Sequence, residues 1–310
     1  MTTQSQAMPE HPFGAPVIAP TAISEGQRFY WAVRRELWEN RWIYLAPLAA
    51  AVLFLFGFLI STVHLAAKTR AALALDPMQQ HEAIMQPYDF AAAVIMGIAF
   101  LVGLFYSVGA LYGERRDRSI FFWKSLPVSD LTTVLAKFSI PLLFIPLLSF
   151  AITIVTYWIM LLISSAVLAG NGLPVATLWS HLPLFTMALL LLYHLLTVHA
   201  LWWAPFYGWL FLVSAWARRA PLVWAIVPPL AISGVEKIAF HTSHFTALLQ
   251  GRFIGSGLEA VTAPDIFPSD PMIHLTPARF FSSPGLWIGL AIAAAFLAAA
   301  VRLRRQQGPI

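Results

Sequence analysis

Charge is scarce in this sequence, and cysteine is absent. Lys, Arg, Asp and Glu make up 11% of the residues, against roughly 25% in a soluble domain. That is too little charge to cover a surface facing water. The lack of cysteine excludes disulfides, thiolate metal sites and a cysteine nucleophile. The chain also has no H-E-x-x-H, no G-x-S-x-G and no pair of aspartates in facing apolar stretches. A lipid-modifying transferase or intramembrane protease needs such a constellation. No G-x-x-x-x-G-K-[ST] phosphate loop occurs, so an energy source in ATP would have to lie on another chain.

What is present is apolar length. Hydrophobic residues make up 59% of the chain. A helix needs about 20 of them in succession to cross a bilayer. Six stretches qualify: Trp42–His64, Asp89–Leu111, Phe138–Leu168, Leu182–Pro205 with a continuation to Trp216, Pro221–Phe240 and Pro284–Val301. The expected class is an all-α integral membrane protein with six transmembrane helices over 42–305. Pro141, Pro146, Pro205, Pro228 and Pro229 fall inside spans and are expected to kink them.

The basic residues set the expected orientation. With the amino terminus inside, Lys68, Arg70, Lys237, Arg252 and Arg279 lie outside and the other 14 of the 19 lie inside, whereas acidic residues divide evenly. Both termini are thus expected in the cytoplasm and the chain in the cytoplasmic (inner) membrane. This asymmetry, with anionic lipid as its counterpart, accounts for the net charge of +5 without nucleic acid. Residues 1–24 are polar and proline-rich and read as a flexible cytoplasmic leader. Leu65–Tyr88 reads as a moderate external loop. Residues 241–283 form the largest external segment, with apolar runs suited to short helices dipping into the outer leaflet.

Two segments at the inner face carry pattern. Residues 25–41 precede the first span as an amphipathic interface helix: Tyr30, Val33, Leu37 and Trp38 share one side, and Arg28, Arg35, Glu36 and Glu39 lie opposite. Arg34 and Arg41 fall in the apolar arc and would have to snorkel to phosphates. The alternative is a plain basic, aromatic flank to the span. The second segment is Gly113–Asp130, GERRDRSIFFWKSLPVSD. Glu114 and Arg118 have the spacing of a helical ion pair. Ile120, Phe121, Phe122 and Trp123 follow, Pro127 ends the helix, and Ser129 or Asp130 can cap the next. Its aromatic end suits either anchoring in the interface or insertion into a cleft of a partner.

This run, after a second span and before a third, resembles the permease subunits of ATP-binding-cassette transporters, in the type-2 (ABC-2) permease family. The matching positions are Glu114, Arg115, Ser119, Ser125, Pro127, Val128 and Ser129. The layout is similar too: an interface helix, six spans, and a large external segment between the fifth and sixth. The chain departs from the family pattern at Arg118-Ser119 and at Phe121–Trp123. The resemblance implies a coupling helix in which Glu114, Arg115, Arg116, Asp117, Arg118, Phe121 and Phe122 meet an ATPase subunit. It also implies two such ATPase chains carrying ATP and Mg, a second copy of this permease, no cofactor in this chain, and transport that is mostly export. A non-transporting membrane scaffold or assembly factor shares the composition, and only this loop separates the two.

Polar residues at membrane depth are functional candidates because burying them there is costly. The fourth span holds Tyr193, His194, Thr197 and His199. Three readings are open: a translocation path, haem ligation, or neutral histidines bonded between helices. Glu236 and Lys237, near the outer end of the fifth span, either pair or reach the interface.

Overall fold

The chain enters the fold through a capped helix. Ser24 Oγ accepts from the Gln27 amide at 3.3 Å while the Gln27 side chain accepts from the Ser24 amide at 3.2 Å. This reciprocal box satisfies donors that the first turn cannot bond itself. A computed structural model describes residues 24–125, 128–253 and 277–308, and every regular element among them is helical. The leader, residue Pro127 and positions 254–276 of the long segment before the sixth span lie outside the described residues, apart from Ser24.

Helix α1 (Glu25–Glu39) turns at Asn40 into α2 (Trp42–Ser61), which continues through a 3₁₀ turn into α3 (Leu65–Leu73). The loop expected over Leu65–Tyr88 is mostly helix. Only residues 74–76 separate α3 from α4 (Pro77–Gly109). Asp76 Oδ1 accepts from the amides of Met78 and Gln79, both at 3.1 Å, and Pro77 opens the helix. An Asp-Pro pair is a strong helix start, so the second span extends twelve residues upstream of its expected beginning.

Two short helices, α5 (Tyr112–Arg116) and α6 (Ile120–Ser125), occupy the charged loop. Ser129 then caps α7 (Asp130–Ser139), its Oγ accepting from the Thr132 amide at 3.0 Å. The third span therefore begins at Asp130 and runs through a wide π turn at Ile140–Phe144 into α8 (Ile145–Gly170). The fourth span (Leu178–Trp202) takes in the end of α9 (Val175–His181), α10 (Leu184–His194) and a π segment (Leu195–Trp202), and α11 (Ala204–Trp216) continues it. Helices α12 (Pro221–Phe240), α13 (His244–Phe253), α14 (Pro277–Ser282) and α15 (Pro284–Gln306) complete the order. Six of these helical runs are long and apolar enough to cross a membrane. The molecule is a multi-pass, all-helical membrane protein.

Proline acts more gently than expected in α12, which passes through Pro228 and Pro229 without interruption. Pro229 cannot donate to the Ala225 carbonyl one turn back. Trp209 of α11 supplies the missing donor, its indole N–H reaching Ala225 O at 3.0 Å.

The interior is built where α4, α7, α11 and α15 converge. Val108, Val134, Phe138, Tyr207, Phe211 and Ala300 form one buried cluster there. A second, around Tyr88, Ala91, Tyr157, Met160 and Leu161, lies toward the far end of α4 and α8. Large apolar side chains such as Leu53, Phe56, Ile60 and Leu230 face outward, as a bilayer requires. Two spans approach closely at Gly208, where a Cβ would sit 3.3 Å from both the Cα and the carbonyl oxygen of Ala293. Small residues let membrane helices pack backbone to backbone. G208L is therefore expected to destabilise the bundle by about 1–3 kcal/mol and G208A by clearly less. Melting of the detergent-solubilised chain, followed by size-exclusion chromatography, checks the order.

Candidate functional site: a buried ion network at the root of the charged loop

The least exposed side chain of α1 is a carboxylate. Glu36 is 1% exposed. Its Oε1 lies 2.8 Å from Lys137 Nζ and 2.7 Å from Arg35 Nη2, and its Oε2 accepts from the Tyr106 hydroxyl at 2.8 Å. Lys137 also approaches Glu114 Oε1 at 3.3 Å, and Glu114 Oε2 lies 2.9 Å from Arg304 Nη2. Arg304 binds Asp130 with its other terminal nitrogen. Three carboxylates (Glu36, Glu114 and Asp130) thus meet three cations (Arg35, Lys137 and Arg304). The group is neutral as a whole and joins α1, α4, α5, α7 and α15.

The local folding that assembles it is simple. The Ser129 cap places Asp130 in the first turn of α7, and Lys137 follows two turns later on the same side. The charged carboxyl-terminal turn of α15 brings Arg304 between Asp130 and Glu114. Burial alone would push the Glu36 carboxyl up. The Lys137 ammonium and the Arg35 guanidinium outweigh that and hold it below its ordinary value of 4.5.

The structure divides the loop residues singled out by sequence into two groups. Glu114 and Arg115 are corrected from surface to interior: they are 8% and 4% exposed and are bonded within the chain. Glu114 does not pair with Arg118. Helix α5 ends at Arg116, Arg118 adopts a left-handed backbone with φ of 58°, and the Glu114 carboxylate turns to Lys137 and Arg304. Arg115 Nη1 donates to the carbonyls of Ala215 and Ala217, closing the end of α11. Ser214 Oγ accepts from the amides of Leu111 and Tyr112, both at 3.0 Å. Arg116, Asp117 and Arg118 remain exposed, the first two paired at 2.9 Å. Phe121 and Phe122 are 65% and 61% exposed, whereas the adjacent Ile120 is buried. The segment therefore has a fixed root and an aromatic tip.

Helix α1 needs a matching correction. Its buried stripe is Ala32, Val33 and Glu36, and Tyr30 and Trp38 point outward. The apolar arc read from the helical wheel placed Glu36 on the wrong side, because the wheel cannot register a lysine 101 positions away. Arg35 also lies over the Trp123 ring at 3.9 Å, so α1 holds the aromatic end of α6 as well as its neighbours.

In the fourth span, His199 has a backbone partner. The π turn in the third span sends the Ile145 amide to Ile140 O. The next donor along is Pro146, which has none. The Pro141 carbonyl is left without a partner in its own helix, and His199 Nε2 fills the gap at 3.1 Å. A carbonyl only accepts, so Nε2 carries the proton. The Tyr207 hydroxyl lies 3.3 Å from the same nitrogen. Thr197 Oγ1 donates back to Tyr193 O at 2.7 Å, the Tyr193 hydroxyl is buried with no hydrogen-bond partner among the described residues, and His194 is half-buried. His199 and Thr197 are thereby engaged within the bundle. Among the described residues, no three His, Cys, Asp or Glu side chains group to hold a metal ion.

At the end of the bundle away from the ion network, Glu236 caps α13. It accepts from the Thr242 hydroxyl at 3.0 Å and from the amides of His244 and Phe245 at 2.7 and 2.9 Å. Arg252 closes the other end of α13. Its guanidinium covers the Trp202 ring at 3.9 Å and donates to the Trp202 and Gly285 carbonyls. A Cβ at Gly289 would collide with that guanidinium.

Comparison of the chain with family models, with curated proteins and with solved structures finds no match to any of them.

The network predicts two behaviours. K137M leaves Glu36 and Glu114 buried with one fewer counter-charge, which should cost about 3–5 kcal/mol. E36Q/K137M should recover part of that loss in the same melting assay. For Glu36, a carboxyl held lower in the folded chain than in the unfolded one stabilises fully above 4.5 and loses that contribution as the pH falls through and below this value. E36Q should therefore flatten the acid limb of stability against pH, measured from pH 7 down to the onset of unfolding.

Proposed function

We propose that this chain is the membrane-spanning permease subunit of an ATP-binding-cassette transporter. It moves a substrate, by preference outward, across the cytoplasmic membrane. Residues 113–130 couple it to a separate ATPase subunit, which carries the ATP and Mg. Two ATPase chains and a second copy of the permease complete the assembly, and both termini lie in the cytoplasm. The observation that carries this reading is the construction of the loop: a root locked by buried ion pairs and a tip of exposed aromatic side chains.

A segment that passes force between proteins needs both features. The tip must present desolvatable apolar area to a partner cleft, which Phe121 and Phe122 do. The root must not yield when the tip is displaced. Glu114, through Lys137 and Arg304, ties the loop to the first interface helix, the third span and the sixth. Arg115 ties it to the end of the fourth. A displacement of the tip is then delivered to several spans at once, as a change of access across the membrane requires. Lys124 adds a weaker tie, donating to the carbonyls of Arg305 and Gln307. Within the set of residues first assigned to coupling, Arg116, Asp117, Arg118, Phe121 and Phe122 are the contact surface, and Glu114 and Arg115 are the transmission.

Pull-down of the tagged chain from its native membrane in mild detergent tests the reading. A stoichiometric partner with a phosphate-binding loop is expected, together with ATP hydrolysis. F121A/F122A should lower recovery of that partner by about thirtyfold, the effect of losing roughly 2 kcal/mol of contact, with unchanged insertion and melting. A chain that inserts normally and brings down no such partner would sink the transporter reading and favour a scaffold.

A further inference from the structure

The arginines at the end of α1 and in the turn that follows it sort by face. Arg35 points inward and is met by Glu36 and Glu39. Arg34 and Arg41 point outward, and among the described residues neither has a carboxylate within ion-pair distance. Arg34 is held instead between two indoles, 5.0 Å from the Trp31 ring and 5.8 Å from the Trp38 ring. Those tryptophans are 56% and 72% exposed, in a helix whose buried stripe lies on the other side.

The stripe Trp31, Arg34, Trp38, Arg41 and Trp42 leads directly into the outward apolar face of α2, marked by Leu45, Leu48 and Val52. That face meets hydrocarbon, so the bilayer boundary falls near Trp42. The helical stretch from Arg34 to Glu39 spans about 8 Å at 1.5 Å per residue, and the short turn at 40–41 joins it to α2, which puts Arg34 in reach of the headgroup layer once its side chain extends. Tryptophan favours this depth, where its ring can sit among acyl carbonyls. A guanidinium within cation–π distance of two indoles still has N–H groups to offer an anion. The bracket thus holds, at the depth of the lipid phosphates, a cation with no carboxylate partner among the described residues.

We infer that Trp31, Arg34 and Trp38 form a binding site for the phosphate of an anionic phospholipid, with Arg41 as a second contact nearer the start of the first span. The site selects a lipid with net negative charge over a zwitterionic one, because the headgroup amine of the latter offsets its phosphate and, among the described residues, no carboxylate lies in the bracket to receive that amine. This is independent of the transport reading: a scaffold with the same α1 would bind the same lipid.

The test mixes the full chain, purified in detergent, with equal amounts of phosphatidylglycerol and phosphatidylcholine and counts the lipids retained in native mass spectra. The wild type is expected to keep phosphatidylglycerol by preference. R34Q should reduce that preference about fivefold, the effect of one cation near a membrane surface. W31L/W38L should reduce it with the guanidinium intact. R218Q/R219Q removes twice the charge from the exposed turn after α11 and should leave the preference unchanged. Melting in phosphatidylcholine alone is expected to match the wild type for each variant, which separates lipid loss from misfolding. Equal losses from R34Q and R218Q/R219Q would reduce the effect to bulk charge and overturn the site. So would a wild-type preference in R34Q. Loss of a co-purifying soluble protein from R34Q, with the lipid preference intact, would assign the face to that protein and overturn it too.

Discussion

One ammonium group holds together the end of the molecule where the charged loop is rooted. Lys137 lies between Glu36 and Glu114, and through them it joins the interface helix to the loop and the loop to the sixth span. Isolated in an apolar interior, any of these charges would be intolerably costly. Together they are neutral, and each cation lies within reach of at least one carboxylate oxygen. The members are therefore coupled: removing one leaves its partner charges buried with less compensation. Such networks contribute little net stability compared with an apolar core of the same volume, and they are best understood as fixing one arrangement among several. Here the arrangement fixed is the angle at which the loop leaves the membrane.

That distinction bears on how motion would pass through the chain. An apolar contact between α5 and α7 could slide, because dispersion is not directional. A guanidinium bridging Glu114 and Asp130, one terminal nitrogen to each, cannot slide without breaking a charged hydrogen bond. The ionic root and the hydrophobic bundle thus differ in mechanical character: one resists small displacements, and the other accommodates them. The first kind lies next to the aromatic tip and the second along the spans, a division that the proposed coupling role would use.

The sequence made the spans plain, since apolar length over twenty residues has few other meanings. It was less clear at the junctions. The Asp76-Pro77 start of α4 and the Ser129 cap of α7 are local signals that extend the second and third spans, and both are visible in retrospect. The ion network was not. Lys137 and Arg304 looked like ordinary basic flanks, and Glu36 looked like a solvated face, because the contacts that define them span 101 and 190 residues. Periodicity reports which side of a helix is apolar. It says nothing about a buried side chain whose partner is equally polar. The histidine in the fourth span was legible only as a residue in need of a reason. The reason lay in the spacing of two prolines in another helix.

That last relation occurs twice. Pro146 leaves the Pro141 carbonyl without a donor, and His199 supplies one. Pro229 leaves the Ala225 carbonyl without a donor, and Trp209 supplies one. Both donors come from the fourth span, and both acceptors lie on its neighbours. In hydrocarbon, no water can substitute for either. If the fourth span were to dock one residue out of place against the third or the fifth, two carbonyls would be stranded at once. Apolar packing along these faces would forgive such a slip far more readily. The prolines thus act as a form of proofreading for assembly: they create vacancies that only the correctly aligned neighbour can fill.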